Sequence, residues 1–516
     1  MFHIRAINLI RPFTITKCII HRSFSSQFPT GSQSTIYALA TGGIRCALGV
    51  IRVSGPNTTQ VLQKVGRFSS EKKLPEPRKA TLKKLYDPMS DKVIDHGILL
   101  WFPGPKSFTG EDSCEFHVHG GPAVITTLLR AIGNVDGCRM AEPGEFSKRA
   151  FLNGKMDLTE VEGLGDLISA ETEMQRAQAL NQMSGSLGSL YESWRDRIAK
   201  CLANAEAFID FGEDENIEND ILEKVEIEIE SLVEKMTNHL KDQRKGERLR
   251  NGVRIAILGK PNVGKSSLLN ILSKRDVAIV SSIPGTTRDI VESCIDLHGY
   301  PVVFADTAGI RASPDEIEKE GIRRAVKEAQ MADIVLLVIS YMDISKKSAA
   351  QHHDDKTQLV RETLAKLLED KTGAFETKEF LEKVLLVANK IDLATGDGDE
   401  MDVVRMLKLR TVFDAWISCK TLQGLENLAE LLASKVATLC TDPKFESPCL
   451  TRERYRSHLN NCVQCLKLYL NPDNPQDLAL RTHSLKVAMN HIGFITGHLG
   501  TEDILDIIFT SFCIGK

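Results

Sequence analysis

The stretch GKPNVGKS, residues 259–266, follows the apolar run VRIAIL at 253–258 and leads into SSLLN. A strand, a Gly-rich turn and a helix start in that order form the setting of a phosphate-binding loop. Gly259 and Gly264 let backbone N–H groups curve around an anionic phosphate chain. Lys265 is spaced to reach the β- and γ-phosphates, and the Ser266 hydroxyl to ligate Mg²⁺. The helix that starts there adds the positive end of its dipole. Asn262, Val263 and Ser267 complete the expected contacts of this loop. The stretch makes the chain a nucleotide hydrolase or switch of α/β construction.

Further words follow in the order that a guanine-nucleotide enzyme requires. DTAG (Asp306, Thr307, Ala308, Gly309) comes after PVVFA; Asp306 would hold Mg²⁺ through water and the Gly309 N–H would sense the γ-phosphate. NKID at 389–392 comes after VLLVA. Its Asp392 carboxylate is suited to N1–H and the 2-amino group of guanine, a donor pair that adenine lacks. Asn389 and Lys390 accompany it, and SCK (Ser418, Cys419, Lys420) follows AWI, where a main-chain N–H can back the base. TTRD at 286–289 supplies a switch threonine, Thr286 or Thr287. The ligand expected is GTP with Mg²⁺.

Position 310 is Ile, where Ras-type enzymes carry the Gln that orients the attacking water. Another group must do that work, and Glu316, Glu318 and Glu320 all lie within reach along the sequence. No arginine finger is visible. A bound monovalent cation could supply the positive charge, with Asn262 and the segment SSIPGTT (281–287) offering oxygen ligands.

The chain has 516 residues, 42% hydrophobic and 26% charged, with a formal net charge of −4. These values describe an ordinary globular chain of about three domains and give no global pull toward nucleic acid. No apolar run approaches the ~20 residues of a membrane span. Twelve cysteines form no framework; Cys462 and Cys465, the one CxxC, read as packed thiols on a helix. The first acidic residue is Glu71, and Arg5, Arg11, Lys17, Arg22 and a Ser-rich end interleave with apolar residues. That pattern predicts a mitochondrial transit peptide over 1–33 and a matrix destination.

Residues 35–153 read as a compact α+β unit, with strands in ALGVIRVSG (47–55) and HGILLWF (96–102) and a helix over 124–133. From Asp157 to Phe211 helical spacing dominates, with a break at MSGS (183–186). The expected architecture is multidomain, α/β plus α. An α+β domain precedes an all-α domain, in parts 154–250 and 441–516, into which an α/β P-loop GTPase domain at 251–440 is inserted. The two helical parts are expected to pack on each other. The HH pair at 352–353, in a Lys/His/Asp-rich insertion, reads as solvated loop.

The words IRVSG (51–55), LWFPGPKSFTGED (100–112), HGGP (119–122), EPGEFSKRAFLNGKMDL (142–158), IPGTTRDI (283–290), DTAGIR (306–311) and the terminal FCIGK (512–516), with the phosphate loop, carry a resemblance to a known family. The chain resembles the MnmE (TrmE) tRNA-modifying GTPases in their mitochondrial form, over nearly everything after residue 35. The resemblance implies a folate-binding N-terminal domain that dimerises, a helical domain and an inserted, potassium-dependent GTPase domain. Asn262, Ser281, Ile283 and Thr286 match the K⁺ ligands, Ser266 and Thr287 the Mg²⁺ ligands, and Glu318 the glutamate that orients water. Arg52, Glu115, Lys155 and Lys516 match positions associated with 5-formyl- or methylene-tetrahydrofolate, and Cys513 a position given a catalytic part in the family. The implied reaction is modification of C5 of the wobble uridine, position 34, of mitochondrial tRNA. It is carried out by a homodimer together with an MnmG-type partner that holds FAD.

A GTP-dependent ribosome-assembly factor is the competing reading, because such factors share the nucleotide core. The N-terminal words and the terminal CIGK favour the modifying enzyme, and no KH-like GXXG helix pair follows the nucleotide region.

Overall fold

The computed structural model describes residues 34–42, 45–68, 74–211, 220–275, 294–304, 326–347, 356–368, 377–393, 411–440, 448–471, 478–499, 505, 508–510, 512 and 514–515. The chain divides into two compact units, the first from Met1–Lys155 and Ile507–Lys516, the second from Met156–Asp506. The last ten residues therefore group with the first unit, whereas the sequence reading assigned them to the helical part at 441–516.

The first unit is built on β1 (Thr35–Leu39), β2 (Leu48–Ser54), α1 (Thr58–Gly66), β3 (Thr81–Tyr86), β4 (Val93–Phe102), β5 (Ser113–His119), α2 (Pro122–Gly133), β6 (Cys138–Met140) and α3 (Glu145–Leu152). The sheet order is β3-β4-β5-β2-β1-β6, with only β1 and β6 parallel. Strand side chains alternate between faces. In β5, Cys114, Phe116 and Val118 enter the core, and Glu115, His117 and His119 face the other way. The core side packs Ile51, Val53, Leu99 and Phe116 against Leu62 and Val65 of α1 and Leu128 and Ile132 of α2. Each such side chain contributes roughly 1.5–3 kcal/mol on full burial. On the opposite face Ile36 and Ala38 of β1 are covered by Phe146 of α3.

The tail belongs to this unit for physical reasons. Phe509 is buried and its ring lies 6.3 Å from that of Phe151, and Ile514 bridges Pro143. Gly515 has φ of 95°, and a Cβ there would strike the Leu39 carbonyl and the Ala40 backbone, so this position demands glycine.

The second unit begins with α4 (Leu158–Ser169), α5 (Glu173–Met183), α6 (Ser186–Phe211), α7 (Asp220–Leu240) and α8 (Lys245–Asn251). The helical run from 157 breaks at MSGS and also at 170–172. The second break has a cause: Thr172 caps α5, its hydroxyl accepting from the Gln175 N–H while Gln175 reaches back to the Thr172 N–H. Asp157 and Glu160 make the same box at the start of α4.

Then come β7 (Val253–Leu258), α9 (Lys265–Arg275), β8 (Cys294–Leu297), β9 (Tyr300–Phe304), β10 (Ile334–Ser340), α10 (Tyr341–Lys347), α11 (Lys356–Leu368), α12 (Lys378–Glu382), β11 (Val384–Asn389), β12 (Ala415–Trp416) and α13 (Leu425–Leu439), followed by α14 (Glu453–Leu470) and α15 (Leu478–Thr496). The sheet order is β12-β11-β10-β7-β9-β8, parallel except between β8 and β9. Both faces are covered, which is why its strands read as unbroken apolar runs. Ile255 and Ile257 of β7 join Leu268 of α9 and Leu428 of α13, whereas Ala256 and Leu258 join Leu359 and Leu364 of α11.

Helices from before and after this sheet in sequence share one core. Tyr191, Trp194 and Ile198 of α6 and Ile229 and Leu232 of α7 pack with Tyr455, Leu459 and Leu466 of α14 and Leu485 and Ile492 of α15. Neither pair could bury its apolar stripe alone. Cys462 sits inside this core and burial drives its thiol pKa up, a packed and unreactive setting.

Candidate functional site

The phosphate loop runs from the C-terminal end of β7, a central strand, into α9. Gly264 has φ of 102°, and a Cβ there would collide with the side-chain amide of Asn389. The Lys265 ammonium donates to the carbonyls of Gly259 (2.7 Å) and Lys260 (2.8 Å), so the loop closes around its own lysine. Burial holds the Lys265 pKa below its usual value, a penalty that anionic phosphates would oppose. The first α9 hydrogen bond runs from the Leu268 N–H to the Gly264 carbonyl (2.9 Å), which leaves the preceding N–H groups outside the helical ladder. Ser266 and Ser267 are exposed at this helix start, and Asn262 is exposed in the loop with φ of 62°.

Buried Asn389, at the end of β11, ties two loops together. Its amide donates to the Val263 carbonyl (2.8 Å), and its oxygen accepts from the N–H groups of Lys390 (2.7 Å) and Cys419 (3.2 Å). The residue is a brace between the phosphate loop and the SCK turn, a function that spacing alone does not reveal. Asp392 stands on a short turn of 3₁₀ helix, and the Ser418 hydroxyl donates to one carboxylate oxygen at 2.6 Å. The N–H groups of Lys420 (3.3 Å) and Thr421 (3.1 Å) point at that same hydroxyl. The result is a fixed carboxylate beside a backbone turn, held on the rigid edge of a buried sheet. These donors, the lysine and the shaped loop fit a nucleotide triphosphate with its Mg²⁺. Ser281, Ile283, Thr286, Thr287, Asp306, Thr307, Ala308, Gly309 and Glu318 lie outside the described residues, as does the HH pair.

Asp343 escapes a sequence reading. The strand VLLVIS ends without an acid, but Asp343 on α10 places its carboxylate 3.4 Å from the Lys260 ammonium in the phosphate loop. Its three-residue offset from the strand end hides it from pattern matching.

A second constellation lies in the first unit. Arg52 of β2 and Glu115 of β5 are register partners, and their Nε and Oε1 atoms are 3.1 Å apart. Each side chain is only 19% exposed, enough to meet a ligand without being freely solvated. The Arg52 guanidinium lies over the rings of Phe108 (5.4 Å) and Phe146 (5.7 Å). His117 Nε2 lies 3.4 Å from the other Glu115 oxygen. Lys155 is exposed and donates to the Pro105 carbonyl (3.1 Å), so the loop that bears Phe108 also meets Lys155. Lys516 and Cys513 lie outside the described residues.

Beneath this surface runs a network that motif reading did not single out. Arg149, 7% exposed, donates to Glu111 (3.1 Å), Glu145 (3.1 Å) and the Ser34 carbonyl (2.8 Å). Glu111 also accepts from the Ser54 hydroxyl (2.7 Å), which lies 2.7 Å from the Thr109 hydroxyl. Although burial alone would raise the Glu145 pKa, hydrogen bonds from Arg139, the Glu142 N–H and Arg149 hold it below the usual carboxylate value. Three separate sequence words, IRVSG, SFTGED and EPGEFSKRAFLNGK, meet in this network.

Among the described residues no helix is long and apolar enough to cross a membrane. Comparison with known proteins agrees with this geometry. Residues 158–513 match the family described as MnmE helical domain, and residues 35–155 match the GTP-binding protein TrmE N-terminus. A Homo sapiens protein named 5-taurinomethyluridine-tRNA synthase subunit GTPB3, mitochondrial, is 46% identical over 94% of this chain and 94% of its own length. The Danio rerio protein of the same name is 44% identical over 96% of each. A tRNA modification GTPase MnmE from Parvibaculum lavamentivorans is 43% identical over 94% of this chain and all of its own. With the phosphate loop braced to the SCK turn and residues 35–155 and 158–513 matched, the chain belongs to the MnmE/TrmE family of tRNA modification GTPases.

Proposed function

We propose that this chain is the potassium-activated GTPase subunit of a mitochondrial matrix enzyme that modifies C5 of the wobble uridine, position 34, of tRNA. The carbon would come from a tetrahydrofolate, and an MnmG-type partner would supply FAD chemistry. The observation that carries this reading is the pairing of two built sites in one chain. One is the loop system joined by Asn389; the other is the Arg52–Glu115 pair set into the face of the first sheet. The names of the animal relatives, which include 5-taurinomethyluridine and the mitochondrion, support the product class and the destination.

In this reading Lys265 and Ser266 hold the triphosphate and Mg²⁺, with Thr287, while Asp392 and the SCK turn select guanine. Asn262, Ser281, Ile283 and Thr286 hold K⁺, which supplies the charge that other GTPases take from an arginine finger. Glu318 orients the attacking water, the role left open by Ile310. Arg52, Glu115, Lys155 and Lys516 bind the folate, the carboxylate toward the amino edge of the pterin and the cations toward its acidic tail. The chain acts as a homodimer, and Cys513 lies at the joint reaction site.

Mass analysis of wobble uridines from mitochondrial tRNA of cells lacking the chain tests the reading. Loss of the C5 substituent is expected, and an unchanged modification would contradict it. Hydrolysis in K⁺ should exceed that in Na⁺, and equal rates would remove the cation from the account.

A further inference from the structure

The seven-residue helix α8 delivers the chain into β7 and so into the phosphate loop. It is held from two sides. On the nucleotide side Arg248 pairs with Asp333 at 2.7 Å, and Asp333 in turn accepts from the N–H of Arg254 in β7 at 3.1 Å. On the helical side Arg250 pairs with Asp166 of α4 (2.9 Å) and Glu247 with Arg456 of α14 (2.8 Å).

Helix α5 joins the two sides. Gln175, Gln178 and Gln182 fall on one of its faces, three and four residues apart. Gln175 donates to the Arg250 carbonyl (2.9 Å) and Gln178 to the Gly246 carbonyl (3.1 Å), so α5 grips α8 near both ends. Gln182 donates to the Thr159 carbonyl of α4 (2.9 Å) and accepts from the Thr451 hydroxyl (2.9 Å), just ahead of α14. At the other end of α5, the Met174 N–H donates to the carbonyl of Gly299, in the turn between β8 and β9 (3.1 Å). That hairpin lies in sequence between the TTRD and DTAG words. A single helix therefore touches the hairpin between the two switch words, the helix that feeds the phosphate loop, and the helical core.

Neutral amides suit such a joint. Each can donate and accept at once, and none demands the desolvation of a charge. We propose that α5 couples nucleotide state to the helical core, with Gln175, Gln178 and Gln182 as its positioning residues. The proposal rests on the GTPase activity alone and needs neither the potassium nor the folate assignment.

Hydrogen exchange on the full chain, loaded with GDP or with a non-hydrolysable GTP analogue, tests it. The wild-type chain should show a nucleotide-dependent difference in α5 and in the first turns of α14. Gln175→Met and Gln178→Met keep side-chain length and remove the donors to α8, and Gln175→Met also removes the acceptor of the Thr172 N–H in the α5 cap. In the double variant that difference should shrink by about fivefold or more, the scale of two lost hydrogen bonds. GTP hydrolysis should stay close to the wild-type rate, because the two glutamines donate to α8 and not to the phosphate loop. A purely structural role would instead lower the unfolding temperature and the hydrolysis rate together. Exchange in wild-type α5 that ignores the nucleotide would overturn the proposal whether or not the variants fold, and so would folded variants that retain the full difference.

Discussion

Among the described residues are two six-stranded sheets that place their candidate sites in opposite ways. The nucleotide sheet is mostly parallel and buried on both faces, so its chemistry sits in the loops at its strand ends, where Lys265, Asn389 and Asp392 emerge. The first-unit sheet is mostly antiparallel, and its charged pair, Arg52 and Glu115, sits on the strands themselves, on the face left outward by alternation. A sheet with two covered faces must work at its edges, whereas a sheet with one partly open face can work on its surface.

The largest effect that probes this difference belongs to the first sheet. Arg149→Met removes a buried cation and leaves the half-buried Glu111 and Glu145 without it, Glu145 keeping Arg139 as a partner. The first unit should lose roughly 3–5 kcal/mol of stability, the scale for breaking a buried pair, as read by denaturant unfolding. GTP hydrolysis should persist; its loss would mean that the two sheets do not act as separable sites. Next, Lys265→Ala should lower the GTP turnover number on the order of 10²–10³-fold, as for removal of one charge-stabilising donor. Steady-state phosphate release checks it, and the stability of the first unit should not change. Asp392→Asn should weaken GTP binding by roughly 1.5–3 kcal/mol, the worth of hydrogen bonds to a charged group, and narrow the preference for GTP over ATP in competition titrations.

The last effect lies in the helical core and is confined to acid pH. The Nδ1 atoms of His458 on α14 and His491 on α15 are 3.2 Å apart. Burial, then Arg454 and His491, pushes the His458 pKa down to about 4. A depressed histidine favours the folded state when neutral. Its contribution is complete above the unfolded value near 6.5 and is lost as pH falls from there toward 4. Thermal unfolding between those limits should therefore soften with acid, and His458→Gln should flatten that dependence. An identical slope in the variant would assign the acid sensitivity elsewhere.

The two regions also differ in how far the sequence discloses them. The phosphate loop is eight consecutive residues after an apolar run, and NKID and SCK sit at the ends of such runs, so local pattern suffices. The Arg149 network draws on Ser34, 115 positions away, and on Glu111, 38 away, and no window captures it. Asn389 reads as a base contact, yet its brace to Val263 spans 126 positions. The break before α5 was readable, since TEMQ at 172–175 has the spacing of a capping box, but the continuous helical pattern around it dominates. The placement of the tail rests on Phe509 and Gly515 finding partners in the first unit, which local pattern cannot supply.

In the proposed function, both sheets serve one reaction on tRNA. Cells lacking the chain can be rescued with wild type, Lys265→Ala or Arg52→Met, and the wobble uridine of their mitochondrial tRNA weighed by mass spectrometry. The C5 substituent is expected with wild type and its loss with either variant. Full modification with Arg52→Met would contradict the claim that the surface of the first sheet takes part.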